Sequence, residues 1–215
     1  MSERTTVLLV DDHTLVREVC ARLIESEPDL RVIAQAADAE AGVDAAEKHR
    51  PDVVLMDIDM PGGSAFDAAR RIVELSPETC VIFLSAYPYD RYIDEAIYAN
   101  AAGFLTKDAP PDRVLEAVRR VAAGGKAYSP KVVDRLMDMP GEGPGGATRA
   151  NTLTQREREV LTLIGEGCAK KTISERLGVS IKTVEKHAAN VMRKLGLNDR
   201  VAICRYCVRE RLISP

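Results

Sequence analysis

No apolar run in these 215 residues approaches the ~18 residues of a membrane-spanning helix, so no membrane segment is expected. The opening MSERTTVLLVDDH has no basic stretch leading into an apolar stretch closed by small residues. No secretory leader is expected there, and the cytoplasm is the expected compartment. Cysteines are few and odd in number: Cys20, Cys80, Cys168, Cys204 and Cys207. Reduced, mostly buried thiols are expected rather than disulfides. Cys204 and Cys207 form a C-x-x-C, but no second pair or nearby histidine completes the four ligands of a structural zinc site. The glycine-rich stretch 139–150 has no strand before it and no Gly-Lys-Ser/Thr closing it, which excludes a phosphate-binding loop. From Thr154 onward there is no strand signal.

Hydrophobic residues make up 46% of the chain, enough for a core in each of two modest domains. The net charge of −3 hides an asymmetry: residues 150–215 carry a balance of +6, and residues 1–149 carry −9. The basic part fits a polyanionic partner, because phosphate attraction dominates nucleic-acid affinity.

Short branched apolar runs at 7–10 (VLLV), 53–56 (VVLM) and 81–84 (VIFL) suit strands buried on both faces of a parallel sheet. Weaker strand signals lie at 31–35 and 103–105. Helical spacings fall between them, as in Val16, Val19, Cys20, Leu23 and Ile24, or Val114, Leu115, Val118 and Val121. Strict alternation predicts an α/β doubly wound domain with a five-stranded parallel sheet over residues 1–125. Residues 126–149 are expected to form a flexible linker, with a short helix possible at 130–138. Residues 150–215 predict an all-α four-helix domain. Thr154-Gln155-Arg156-Glu157 is a capping box. Helices are expected to run to Gly167, from Ala169 to Leu177, from a Ser180 cap to Gly196, and from Asn198 to Arg211. The turn of about three residues between the second and third describes a helix-turn-helix.

Asp11 and Asp12 follow the first strand, Asp57 the third and Lys107 the fifth, while Ser85 ends the fourth. Ends of adjacent parallel strands open onto one crevice, where ligands bind. Three carboxylates there call for a cation, and oxygen ligands on short side chains suit Mg²⁺. A hydroxyl and an ammonium beside that cluster make a site for a phosphoryl group.

VLLVDDH, DVVLMDIDMPG, VIFLSA and AGFLTK resemble the motifs of response-regulator receiver domains. LTQREREVL, ISERLGVS, KTVEKH and RKLGL resemble the LuxR-type helix-turn-helix of the NarL/FixJ branch. The resemblance implies a flavodoxin-like receiver whose Asp57 is phosphorylated by a histidine kinase. It implies Mg²⁺ held by Asp11, Asp12, Asp57 and the backbone carbonyl of Asp59, with Ser85 and Phe104 as switch residues and Lys107 pairing with the phosphoryl group. Two departures stand out. Ala65 occupies a position usually held by Gly, with glycines instead at Gly62 and Gly63, so the loop after Asp57 is expected to run differently. Asp108 follows Lys107 where many receivers have Pro. In the second half, Thr172 and Ser174 replace frequent Glu and Ala.

The third helix of the basic domain should lie in the major groove of promoter DNA. Val184, Val191 and Leu195 face inward, and Lys182, Glu185, Lys186, Ala189 and Arg193 form the opposite stripe. Thr183 and Asn190 are further contact candidates, while His187 is expected to pack or bond locally. Lysines and arginines there can reach phosphates or guanine edges, and Glu185 can accept from cytosine. Val201, Cys204 and Val208 suit a core stripe, and the family resemblance adds a homodimer interface. Two other classes compete with a phosphorylation-controlled regulator. One is a receiver that gates by contact alone, against which the full acidic set argues. The other is an independent enzyme, for which no further base, nucleophile or substrate loop is present.

Overall fold

The computed structural model describes residues 4–137 and 148–213. The chain divides into two compact units, Met1–Pro88 with Glu95–Asp134, and Tyr89–Asp94 with Arg135–Pro215.

The first unit is built on strands β1 (Thr5–Val10), β2 (Leu30–Ala36), β3 (Val53–Asp57), β4 (Cys80–Ser85), β5 (Gly103–Thr106) and β6 (Ala127–Tyr128). All pair in parallel, in the order β2-β1-β3-β4-β5-β6. Its helices are α1 (Thr14–Glu25), α2 (Ala39–His49), α3 (Ala65–Leu75) and α5 (Pro111–Ala122), while α4 (Asp90–Tyr98) and α6 (Pro130–Met137) are divided between the two units. The unbroken apolar runs are strands because both sheet faces are covered. Val7, Leu9, Val53, Leu55, Ile82 and Leu84 join Ile24, Leu115, Val118 and Val121 in one core. The alternate residues Leu8, Val10, Val54, Met56 and Phe83 are as deeply buried on the opposite face. Each such side chain stabilises the fold by about 1.5–3 kcal/mol.

The sheet has six strands, one more than expected. β6 is too short to show a pattern and follows Gly124-Gly125, which reads as a helix stop. Its ladder is nonetheless regular: Ala127 N–H donates to Ala102 O at 3.0 Å, and Ser129 N–H to Phe104 O at 3.0 Å. The helix expected at 130–138 is α6. Thus β6 and α6 occupy the first part of the stretch 126–149, and residues 138–147 lie outside the described residues.

In the second unit a single 3₁₀ turn (Arg149–Thr152) precedes α7 (Gln155–Gly165), α8 (Lys170–Leu177), α9 (Ile181–Leu195) and α10 (Arg200–Arg209). The capping box forms: Thr154 Oγ1 accepts from Glu157 N–H, and the Glu157 carboxylate accepts from Thr154 N–H at 2.9 Å. Left-handed Gly178 (φ 63°) ends α8 and permits the turn to α9, which Ser180 caps. The fourth helix is shorter than expected, because Asp199 caps it from outside and Arg211 has already turned to φ 50°. Val160, Leu161, Ile164, Ile173, Val184, Val191, Leu195, Ile203 and Cys207 share one core. The C-x-x-C serves that packing. Cys204 Sγ contacts Ile164 O at 3.6 Å and Cys207 Sγ contacts Leu161 O at 3.5 Å, tying α10 to α7.

Candidate functional site

Strand order sets the first site. The chain leaves β1 for β2 on one side of it and returns to β3 on the other. The crevice where the order reverses therefore opens at the carboxyl ends of β1 and β3, which carry Asp11, Asp12 and Asp57. Asp57 closes β3 and is 1% exposed. Asp11 is 4% exposed, and Asp12 is half-buried. One ligand atom from each of Asp11, Asp12, His13 and Asp57 lies within 4.8 Å of the others.

Lys107 reaches the same point from the end of β5. Its Nζ is 2.9 Å from Asp11 Oδ2 and 2.8 Å from Asp57 Oδ2. Burial pushes the Asp57 carboxyl up, and Lys107 opposes that only in part. Burial disfavours the Lys107 charge too, but its hydrogen bonds to Asp57 and Asp11 outweigh burial and hold its pKa above the ordinary value. The ammonium is therefore a fixed positive charge at the mouth of the cluster.

The donor set fits a hard divalent cation. Asp12 Oδ1 and Asp57 Oδ2 are buried, and neither accepts from a backbone amide. A nitrogen stands 2.8 Å from each, His13 Nδ1 at Asp12 and Lys107 Nζ at Asp57. Buried carboxylate oxygens left in this state suit a cation that takes oxygen ligands.

His13 was not singled out from the sequence. Its Nδ1 also lies 3.2 Å from Asp11 Oδ1 and 3.9 Å from Asp57 Oδ2. Its place directly after the two aspartates is the signal that could have found it.

Ser85 hydrogen-bonds the Tyr87 backbone in this conformation, and Phe104 packs in the core. Ser85 is fully buried at the end of β4. Its Oγ donates to Tyr87 O at 2.9 Å and accepts from Tyr87 N–H at 3.2 Å. Phe104, paired with Phe83 across β5 and β4, is fully buried. Asp59 is exposed, with its N–H 3.4 Å from Asp57 Oδ1. The loop after Asp57 turns on Gly62 (φ 86°) and Gly63 (φ 142°), after which Ser64 caps α3. The displaced glycines thus supply the left-handed residues that let Ala65 begin a helix. Asp108 pairs with Lys131 at 2.5 Å.

On α9, Lys182, Glu185, Lys186, Ala189 and Arg193 are exposed along one face, opposite buried Val184, Val191 and Leu195. Two candidates are engaged locally. Glu185 pairs with Lys170 of α8 at 2.8 Å, and the Thr183 hydroxyl lies 2.8 Å from Ser180 Oγ. Asn190 is half-buried, as is His187, whose Nδ1 is buried without a partner.

The family model of the response regulator receiver domain matches residues 7–119, and that of the bacterial regulatory proteins of the luxR family matches 151–207. The chain therefore belongs to the response regulators. The pairing of these two domains, together with its relatives, places it in the NarL/FixJ family. It is 34% identical over 209 residues to the transcriptional regulatory protein DegU of Brevibacillus brevis, covering 90% of this chain and 89% of that protein. It is 34% identical over 208 residues to the transcriptional regulatory protein LiaR of Bacillus subtilis, covering 97% and 99%. The fold is similar to that of the response regulator RcsB of Salmonella typhimurium, with a TM-score of 0.74 at 23% identity over 94% of this chain and 98% of that one.

Proposed function

We propose that this protein is a two-component response regulator in which phosphorylation of Asp57 controls sequence-specific binding of promoter DNA by α9, and thereby transcription. The relatives named as transcriptional regulators support this reading. The observation that carries it is the buried Asp57 carboxylate at the end of β3, held against Lys107 Nζ at 2.8 Å.

In the proposed reaction an Asp57 oxygen attacks the phosphorus of a phosphohistidine on a sensor kinase. The P–N bond breaks, a P–O bond to Asp57 forms, and the histidine leaves with the N–P electron pair and takes up a proton. Lys107 neutralises charge on the phosphoryl oxygens, as a fixed cation does most effectively where water is excluded. Asp11, Asp12 and Asp57, with the Asp59 carbonyl, would hold Mg²⁺, which supplies further neutralisation of phosphoryl charge. Ser85 would exchange its Tyr87 contacts for the phosphoryl group, and Phe104 would follow within the core. That exchange biases a loop between two hydrogen-bonding arrangements.

Domains of 1–125 and 150–215 joined by 126–149 suit this division of labour. Lys182, Lys186 and Arg193 would contact phosphates or bases, with Thr183, Glu185, Ala189 and Asn190 around them. A homodimer would read two half-sites, in the cytoplasm.

The test is labelling by acetyl phosphate with Mg²⁺. The native protein should take up one phosphoryl group and Asp57→Asn none. Equal labelling of the two would refute the assignment of Asp57.

A further inference from the structure

A second cavity opens in the first unit between α5 and the β6–α6 segment. Its volume is about 450 Å³, and none of Asp11, Asp12, Asp57 or Lys107 lines it. Small-molecule sites have volumes of roughly 300–1,000 Å³. Leu105, Ala117 and Ala127 give it an apolar floor, and three cations, Arg113, Arg120 and Lys131, stand on its wall. Two of these are matched: Arg113 pairs with Glu116 at 2.8 Å and Lys131 with Asp108 at 2.5 Å. The Arg120 guanidinium makes no ion pair or hydrogen bond among the described residues. The cavity therefore carries one uncompensated positive charge.

Ser129 is the second observation. It is 4% exposed, lines the cavity, and its Oγ is buried with no partner. It directly precedes α6, where a serine hydroxyl ordinarily caps the first turn. Here the amides of Val132 and Val133 go instead to the Ser129 backbone carbonyl, at 2.9 and 3.0 Å. The hydroxyl is left uncommitted, which is unfavourable until something supplies a partner. Burial also pushes the neighbouring Tyr128 phenol up, so it remains a donor.

We propose that this cavity binds a small organic monoanion, a carboxylate on an apolar body with a polar group at its inner end. The carboxylate meets Arg120, whose planar fork suits it. The body rests on the apolar floor, and the inner polar group bonds the Ser129 hydroxyl, whose side chain turns toward the cavity on binding. A dianionic phosphate is a poorer fit, because the other two cations are already matched. This site is independent of Asp57 phosphorylation.

The test is titration of the isotope-labelled full-length protein, followed by amide shifts, with benzoate, 4-hydroxybenzoate, octanoate and neutral benzyl alcohol. The carboxylates should bind saturably with shifts centred on Ala127, Tyr128 and Ser129. Benzyl alcohol should bind about tenfold more weakly than benzoate, the usual value of a hydrogen bond to a charged group. Arg120→Gln should remove that preference and Arg120→Lys should keep part of it. The native protein should favour 4-hydroxybenzoate over benzoate, and Ser129→Ala should erase the difference without lowering the melting temperature. The proposal fails if no carboxylate saturates below ~10 mM, far weaker than a ~1 mM site. It also fails if benzyl alcohol binds as well as benzoate, or if Arg120→Gln binds benzoate like the native protein. Equal affinity of the native protein for 4-hydroxybenzoate and benzoate overturns the role given to Ser129.

Discussion

Replacing Glu157 by Gln should destabilise the second unit, and the cost should fade in acid. Glu157 joins the capped start of α7 to α9. Its Oε2 accepts from Thr154 N–H at 2.9 Å and from Lys194 Nζ of α9 at 2.6 Å, and its side chain is 4% exposed. Burial disfavours its charge, but Lys194 and the Thr154 amide outweigh burial and lower its pKa from 4.5 to about 2. At about 1.36 kcal/mol per unit, that shift stabilises the fold at neutral pH by at most about 3.4 kcal/mol. Lys194 is 21% exposed and keeps a 2.8 Å bond to Thr152 O, so it is not orphaned when Glu157 is lost. Glutamine also retains an acceptor for the cap. The expected cost is therefore about 2 kcal/mol, below the ~3–5 kcal/mol of stranding a fully buried charge. The folded pKa lies below the unfolded one. The stabilisation is thus complete above about 4.5 and is lost as pH falls through about 2. The gap between native protein and variant should narrow by about 1 kcal/mol between neutral pH and about pH 3.5. Urea unfolding of the full chain, followed through the amide signals of α7 and α9, measures it at both pH values. A gap under about 0.5 kcal/mol at neutral pH, or one that does not narrow in acid, would refute the reasoning.

Gly165→Ala should destabilise the α7–α10 packing by about 1–3 kcal/mol, because a Cβ there would stand 2.7 Å from Cys207 Sγ; an unchanged melting temperature would count against it. Cys207, buried and with its thiol pushed up to about 11, should alkylate far more slowly than Cys168 at pH 8, as mass spectrometry of partly labelled protein would show. Lys182→Ala and Lys186→Ala should each weaken DNA binding across sequences and flatten the salt dependence by about one unit of slope, as read by titrations at several salt concentrations. The fragment 148–215 should bind DNA without a phosphodonor, increasingly weakly as salt rises; salt-indifferent binding, or none, would refute it.

The parts of the fold that were legible share one physical cause. A strand buried on both faces must be apolar throughout, so VLLV, VVLM and VIFL announced themselves, and the polar residues that stop such runs fall at the sheet's carboxyl edge. That is why the pattern alone places Asp11, Asp57 and Lys107 in one crevice, and the 2.8 and 2.9 Å contacts follow from the strand order. Likewise the capping box and the glycines at 178 and 196 marked helix ends, because few residues satisfy exposed amides or adopt positive φ. What escaped was set by contacts whose two partners carry no mutual signal. β6 is two residues long and owes its place to backbone bonds with β5 rather than to side-chain pattern. The Glu185–Lys170 pair spans two helices, so a residue whose position suits reading a base is engaged by a neighbouring helix on its exposed face. Ser85 shows the same limit within the first site. Its position at the end of β4 was legible, but a hydroxyl can rotate, and here it bonds the Tyr87 backbone. The residues most exposed to this limit are the ones the proposed switch would use. A side chain that must serve two arrangements cannot be committed by sequence to either, and only the stable partner of the exchange, the Asp57–Lys107 pair, leaves a fixed imprint on the chain.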